Sequence, residues 1–260
     1  MTSATVQAQR WAARAADWAG LAAPLSRPAW RTLADATGIG AGTDVLDVGC
    51  GSGEFCHIAA TRGAVVCGID AAPGMIEIAR RLVPRADLRV GAMESLPWVD
   101  ESFDVVTGFN AFQFAADMVA ALAEAKRVVR TRGAVAICNW ARPQDSELLA
   151  ALSPLRELQP PPAPGAPPAQ AVGEPGVLEG LARLAGLRPG RTGEIEVPYE
   201  LPDQATLERA LLAPGGAVPA IEHSGERAVR NAIVEAAAPF RRADGSYRFE
   251  NRFRYLIAVA

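Results

Sequence analysis

The sequence predicts an α/β fold organised on a doubly wound, mostly parallel sheet, and three observations predict it. Between residues 44 and 138, apolar runs too short for helices alternate with stretches of helical period. The first run, around Val45, Leu46 and Val48, passes straight into glycines at 49, 51 and 53, and helical spacing resumes at Glu54. The second run, Val65-Val-Cys-Gly-Ile-Asp70, ends in an acid, about twenty residues downstream of the glycine turn.

Each element follows from its own residues. Residues 4–36 are alanine-rich and read as helical; Trp11, Arg14 and Trp18 sit at i, i+3 and i+7 and share a face. The run at 44–48 reads as a strand buried on both faces, followed by a helix at about 53–62. Pro73 opens the next helix, where its missing N–H is harmless, and Met75, Ile76, Ala79 and Leu82 line it. Strands are expected at 88–90, 103–109 and 132–138, with a helix at about 116–130 between the last two. From 143 to 173 the periodicity breaks. Leu158-Gln-Pro-Pro-Pro-Ala-Pro-Gly-Ala-Pro-Pro168 carries too many prolines for a helix or central strand and reads as a linker or flap. A helix near 174–186 and a strand near 193–199 resume the core. Residues 203–240 read as a helical insertion, and Tyr255-Leu-Ile-Ala-Val-Ala260 closes the chain as a strand.

The glycine turn suggests a ligand. A strand that ends in glycines and opens a helix brings bare backbone to a ligand at the helix N-terminus. A dinucleotide turn spaces its glycines G-x-G-x-x-G. Here the pattern is D-x-G-x-G-x-G from Asp47 to Gly53, so the last glycine comes one residue early. The carboxylate ending the strand repels a pyrophosphate and attracts an ammonium or sulfonium. Asp70 stands where a carboxylate takes a ribose diol. Farther on, Gly91-Ala-Met-Glu-Ser-Leu-Pro97 is followed by Ser102-Phe-Asp-Val-Val106. With these motifs the chain resembles the class I S-adenosylmethionine-dependent methyltransferases, in the type-11 small-molecule group.

The resemblance covers residues 40–140 well and the remainder in architecture. It implies a Rossmann-like sheet of seven strands, the last antiparallel, with helical lid insertions. The segments expected are an N-terminal lid (1–40), a cofactor-binding core (41–142), the Pro-rich flap (143–173), the core continued (174–200), a helical substrate cap (201–250) and the final strand (251–260). It implies S-adenosylmethionine as cofactor and S-adenosylhomocysteine as product. Asp47 would orient the methionine ammonium, Gly49, Cys50, Gly51 and Gly53 would admit the cofactor, and Asp70 would hold the ribose with Ala71 and Met75 beside it. Ala92 and Met93 would meet the adenine. The family places an aspartate at the Ala92 position, so that side-chain bond is missing here, while Met93 offers its backbone N–H and thioether. Asn110, with Phe109 beside it, would meet the methionine portion, and Trp18 and Arg14 would close over it, Arg14 near the carboxylate.

Methyl transfer from a sulfonium needs positioning and water exclusion more than a base. His223, in the helical insertion, is the candidate base, with Tyr199 and Glu222 as further candidates; His57 is read as packing or solvent-facing. Glu94 is read as a solvated acid, and Phe112 and Phe114 as core or acceptor-site aromatics. The expected activity is methyl transfer to oxygen, nitrogen or carbon of a small molecule in specialised metabolism. The rival is a related protein that binds S-adenosylmethionine without transferring methyl, or acts as a cyclase. A nicotinamide-dependent dehydrogenase is disfavoured by the glycine spacing.

The net charge of −3 gives no basic footprint, which argues against nucleic acid as partner. Cys50, Cys56, Cys67 and Cys138 make no C-x-x-C pair and are read as reduced, buried thiols in strands or the glycine turn, without a metal. No apolar run approaches the ~18 residues of a membrane span, and no signal stretch opens the chain, so a cytoplasmic protein off the membrane is expected. The partner expected is the acceptor molecule, with a homodimer left open.

Overall fold

A computed structural model describes residues 3–161 and 171–260. The N-terminal segment holds α1 (Ser3–Ala12), α2 (Ala15–Asp17), a π-helical turn (Trp18–Ala22), a 3-10 turn (Ala23–Ser26) and α3 (Arg27–Ala36). The single helical stretch expected over 4–36 is therefore broken. Arg14 leaves helical geometry at φ −137°, and Pro24 sits inside the 3-10 turn, where it removes a helical donor.

The core then follows the expected alternation: β1 (Asp44–Val48), α4 (Glu54–Thr61), β2 (Val65–Asp70), α5 (Pro73–Leu82), β3 (Asp87–Val90), β4 (Phe103–Phe109), α6 (Met118–Val128) and β5 (Val129–Trp140). The α6 helix starts where the Asp117 carboxylate accepts the N–H groups of Val119 and Ala120. After β5 come a 3-10 turn (Pro143–Asp145), α7 (Glu147–Ala151) and α8 (Leu155–Leu158). The flap expected over 143–173 is thus helical in its first part, with Ser146 capping α7 through Leu149 N–H. Residues 162–170, which hold most of the proline run, lie outside the described residues.

The chain continues with α9 (Val177–Leu184), β6 (Arg188–Glu196), β7 (Tyr199–Leu201), α10 (Gln204–Leu212), α11 (Val218–Ser224), α12 (Glu226–Ala237), β8 (Tyr247–Phe249) and β9 (Arg252–Val259). The expected strand at 193–199 is longer and begins earlier. Pro189 and Gly190 are tolerated because β6 is an edge strand. The β7 and β8 strands form a separate antiparallel ribbon, so the stretch expected to be a helical cap as far as residue 250 ends in a strand.

Among the described residues, seven strands form the main sheet in the order β3-β2-β1-β4-β5-β9-β6. The pairs from β3 to β5 are parallel. β9 runs antiparallel between β5 and β6. One face packs on α3, α4 and α5 through Ala34, Cys56 and Ala79 against Val45 and Val105. The other packs on α6 and α9 through Leu122 and Leu178 against Val106 and Ile137. The helices α10 and α12 join α3 over the β5 end of the sheet. Cys56 lies in α4 rather than in a strand or the turn, and Cys67 is half-buried, unlike the other three thiols. Among the described residues, no helix is long and apolar enough to cross a membrane.

Candidate active site

Strand order reverses between β1 and β4, and the crevice beyond their carboxyl ends is where ligands bind in open α/β sheets. A cavity opens there, with about 1030 Å³ of atom-free space counted out to its mouth. Its floor is the glycine turn after β1. Gly49 adopts φ +71°, and a Cβ on it would lie 2.4 Å from the Ala111 Cβ. The turn is tied to β2: the N–H groups of Gly49 and Cys50 donate to the Ile69 carbonyl at 2.8 and 3.0 Å.

Asp70 completes that tie. One carboxylate oxygen accepts the Gly51 N–H at 2.9 Å and the other the Ala72 N–H at 2.8 Å. Burial nevertheless raises its pKa. Asp47 is 3% exposed. It accepts a hydrogen bond from the Thr107 hydroxyl at 2.7 Å, and the Cys56 thiol donates weakly to it at 3.9 Å. Burial pushes the Asp47 pKa up to about 7; repulsion from Asp70 and Glu54 adds to this, and the two hydrogen bonds oppose it. Glu54, the first residue of α4, takes the Ser52 hydroxyl at 2.6 Å and is also raised by burial. Asp47, Glu54, Asp70 and Glu94 all line the cavity, and among the described residues no arginine, lysine or histidine lines it. Residues 1–2 and 162–170 carry no basic side chain in the sequence. The field therefore favours a cationic ligand and opposes a phosphate chain.

At the β3 end, Ala92 and Met93 are half-buried on the wall. Glu94 is not a freely solvated acid. It is half-buried, lines the cavity and accepts the Ala116 N–H at 2.7 Å. At the β4 end, Asn110 has φ +49°, a conformation asparagine adopts more readily than most residues. Its side-chain oxygen accepts the Trp140 N–H at 3.0 Å, and its own N–H donates to the Cys138 carbonyl at 2.7 Å. These bonds hold it at the switch point.

The N-terminal segment forms the roof. Trp11 packs edge-on against Trp18 at 4.8 Å and against Phe114 at 5.5 Å between ring centroids, and all three line the cavity. The Trp18 indole nitrogen comes within 3.6 Å of where a Gly51 Cβ would stand. Trp18 opens the π-helical turn, a rare feature often found at functional sites.

The residues singled out from the sequence divide cleanly. Asp47, Gly49, Cys50, Gly51, Asp70, Ala71, Met75, Ala92, Met93, Asn110 and Trp18 line the cavity. Gly53 does not; it caps α4 in left-handed geometry and packs on Ala79. Arg14 does not either. The break after α1 takes it out of the Trp11–Trp18 face, and its guanidinium pairs with Glu226 of α12 at 2.7 Å. His223 and Glu222 are exposed on α11 and lie off the cavity wall, His57 is exposed on α4, and the Tyr199 hydroxyl donates to the Leu21 carbonyl at 2.7 Å. Phe109 and Phe114 are wall residues, whereas Phe112 is buried against Gly108. Sequence reasoning missed Gln7, Ser26, Trp30, Glu54 and Phe55. Glu54 was detectable as an acid opening the helix behind a glycine turn. Gln7 and Ser26 reach the cavity only by tertiary folding and carry no local signal.

A family described as methyltransferase domain matches residues 46–137. Uncharacterized protein Rv1405c of Mycobacterium tuberculosis is 30% identical over 256 residues, which covers 94% of this chain and 90% of that one. The malonyl-[acyl-carrier protein] O-methyltransferase of Serratia marcescens is 35% identical over 153 residues, 57% of this chain and 60% of that enzyme. The crystal structure of the YcgJ protein of Bacillus subtilis superposes with a TM-score of 0.60 at 19% identity, covering 88% of this chain and 97% of that one. At that identity the likeness is one of fold.

Proposed function

Because the chain belongs to the class I S-adenosylmethionine-dependent methyltransferases, in the type-11 group, we propose that the cavity beyond β1 and β4 holds S-adenosylmethionine against a small-molecule acceptor. One observation carries this assignment most of the way: a glycine turn opens onto a cavity whose wall bears four carboxylates and, among the described residues, no cationic side chain. The residues present fit the cofactor. Bare backbone at Gly49 and Gly51 leaves room that a Cβ would fill, and the acids match an ammonium and a sulfonium.

Asp47 faces the ammonium, Asp70 takes the ribose hydroxyls in addition to its two backbone donors, and Ala92 and Met93 offer an apolar seat for the adenine. When bound, S-adenosylmethionine would supply a methyl group already activated for transfer to an acceptor lone pair, leaving S-adenosylhomocysteine, with the acceptor's proton lost to solvent. The chain's own work is to orient and to exclude solvent. Trp11, Trp18 and Phe114 roof the cavity, and the N-terminal segment acts as a lid. No histidine is assigned as a base, since His57 and His223 both face solvent away from the cavity.

The Serratia enzyme is named for a malonyl group on a carrier protein, but the match spans less than two thirds of its length. That likeness supports the donor and leaves the acceptor unnamed. The test is release of S-adenosylhomocysteine by the purified chain over a panel of phenols, amines and carboxylic acids. Turnover with any of them, lowered by Asp70→Ala, is the expected result. Cofactor binding with no release over the whole panel would instead fit a binder or a cyclase.

A further inference from the structure

The charge pattern and the aromatic roof together say something about the acceptor, given the cofactor assignment above. The cavity wall carries Asp47, Glu54, Asp70 and Glu94, and no arginine, lysine or histidine lines it among the described residues. The bound cofactor's ammonium and sulfonium are matched by those acids and by its own carboxylate. A carboxylate or phosphate acceptor entering this space would leave water without gaining a cationic side chain from the wall, and a buried charge lacking such a partner is strongly disfavoured. Recognition of such groups ordinarily uses an arginine fork or a lysine. Arg14, the basic residue that the sequence placed near the cofactor, pairs with Glu226 instead.

The uncharged part of the wall points the same way. Trp11, Trp18 and Phe114 meet edge to face at 4.8 and 5.5 Å, interplanar angles 75° and 73°, and form an aromatic corner. Such a corner receives a flat ring in offset or T-shaped contact. Gln7, on α1, lines the same cavity as these rings and brings an uncharged amide. We infer that the acceptor is a flat, apolar-bodied alcohol or amine of the phenol or aryl-amine class, seated at the Trp11–Trp18–Phe114 corner, and that carboxylate and phosphate acceptors are refused. The new bond would form from the acceptor's oxygen or nitrogen lone pair to the methyl carbon as the sulfur–methyl bond breaks, its pair passing to sulfur, and the acceptor's proton goes to water.

The experiment uses the full chain saturated with S-adenosylhomocysteine and two probes of one ring system, 2-naphthol and 2-naphthoate, titrated by calorimetry at neutral pH. Like charges brought together across an interface cost enough that naphthoate should bind at least about tenfold more weakly than naphthol. Gln7→Arg, which places a cation on the wall, should narrow or invert that ratio if charge is what discriminates. Equal or tighter binding of naphthoate to the unmodified protein overturns the inference. So does a ratio that Gln7→Arg leaves unchanged, and so does a failure of both probes to bind the S-adenosylhomocysteine complex. A failure of S-adenosylhomocysteine itself to bind strikes the cofactor assignment instead, so the two outcomes are separable.

Discussion

Asp70 holds the glycine turn from the neighbouring strand: one oxygen of its carboxylate takes the Gly51 N–H at 2.9 Å while the other takes the Ala72 N–H at 2.8 Å. The residue proposed to grip the ribose therefore also sets the floor on which the cofactor rests. Asp70→Ala should lower affinity for S-adenosylhomocysteine by ~10–100-fold, the value of one or two hydrogen bonds to a charged group. Asp70→Asn, which keeps the size of the side chain but turns one acceptor into a donor, should fall between. Calorimetric titration of the three proteins checks the order.

Asp47 gives the cavity a pH dependence. With its pKa raised to about 7 by burial, it is largely protonated in the free protein at pH 6. A cationic ligand favours the ionised form, so affinity for S-adenosylmethionine should rise with pH up to about 7 and level off above it. Binding near pH 7 should release protons, seen as buffer-dependent heats. The stability of the free protein has the opposite sign. Between the ordinary carboxylate value of 3.8 and about 7, the folded chain holds a proton that the unfolded chain has lost, so this residue's contribution falls as pH rises through that window. Asp47→Asn should remove both effects, and melting curves at pH 5 and pH 8 should show a larger stabilisation at the higher pH.

Two glycines separate backbone strain from crowding. Gly49 and Gly38 share nearly the same backbone angle, φ +71° and +70°, but a Cβ at 49 meets Ala111 at 2.4 Å while one at 38 meets nothing within 4 Å. Gly38→Ala should cost about 1 kcal/mol from conformation alone. Gly49→Ala adds overpacking of ~1–3 kcal/mol, and should melt several degrees lower and lose cofactor affinity, whereas Gly38→Ala keeps it.

Arg14 tests the roof. Its side chain pairs with Glu226, both partners part-exposed at 26% and 40%, so the pair contributes ~0–1 kcal/mol. Arg14→Ala should leave S-adenosylhomocysteine affinity within about threefold, whereas a guanidinium on the cofactor carboxylate would cost more than tenfold. Trp18→Ala, which opens the roof beside Gly51, should show the larger loss.

Much of this was legible in the sequence, and the illegible parts have physical causes. The first two strands were readable because each is a short apolar run, closed by Gly49 in one and Asp70 in the other, and the D-x-G-x-G-x-G turn located the cavity floor. The N-terminal segment misled. Its alanine content favours helix everywhere, yet packing of Trp11 and Trp18 on the core goes with a break at Arg14 and a π-helical turn. That break carried Arg14 to Glu226 and brought Gln7 to the cavity wall. The β7–β8 ribbon escaped notice because three residues are too few to establish a period, although Tyr199 and Leu201 bury on one side while Glu200 stays exposed. Pro189 and Gly190 hid the start of β6 because edge pairing, which excuses them, is a property of the sheet.

The central claim is that the glycine turn and its acids hold a sulfonium nucleoside rather than a pyrophosphate. Calorimetric titration of the purified full chain with S-adenosylmethionine, and separately with NAD, tests it most directly. One saturable site per chain for S-adenosylmethionine, weakened by Asp70→Ala, with no heat from NAD, is the predicted result. Saturable binding of NAD with none of S-adenosylmethionine would contradict it.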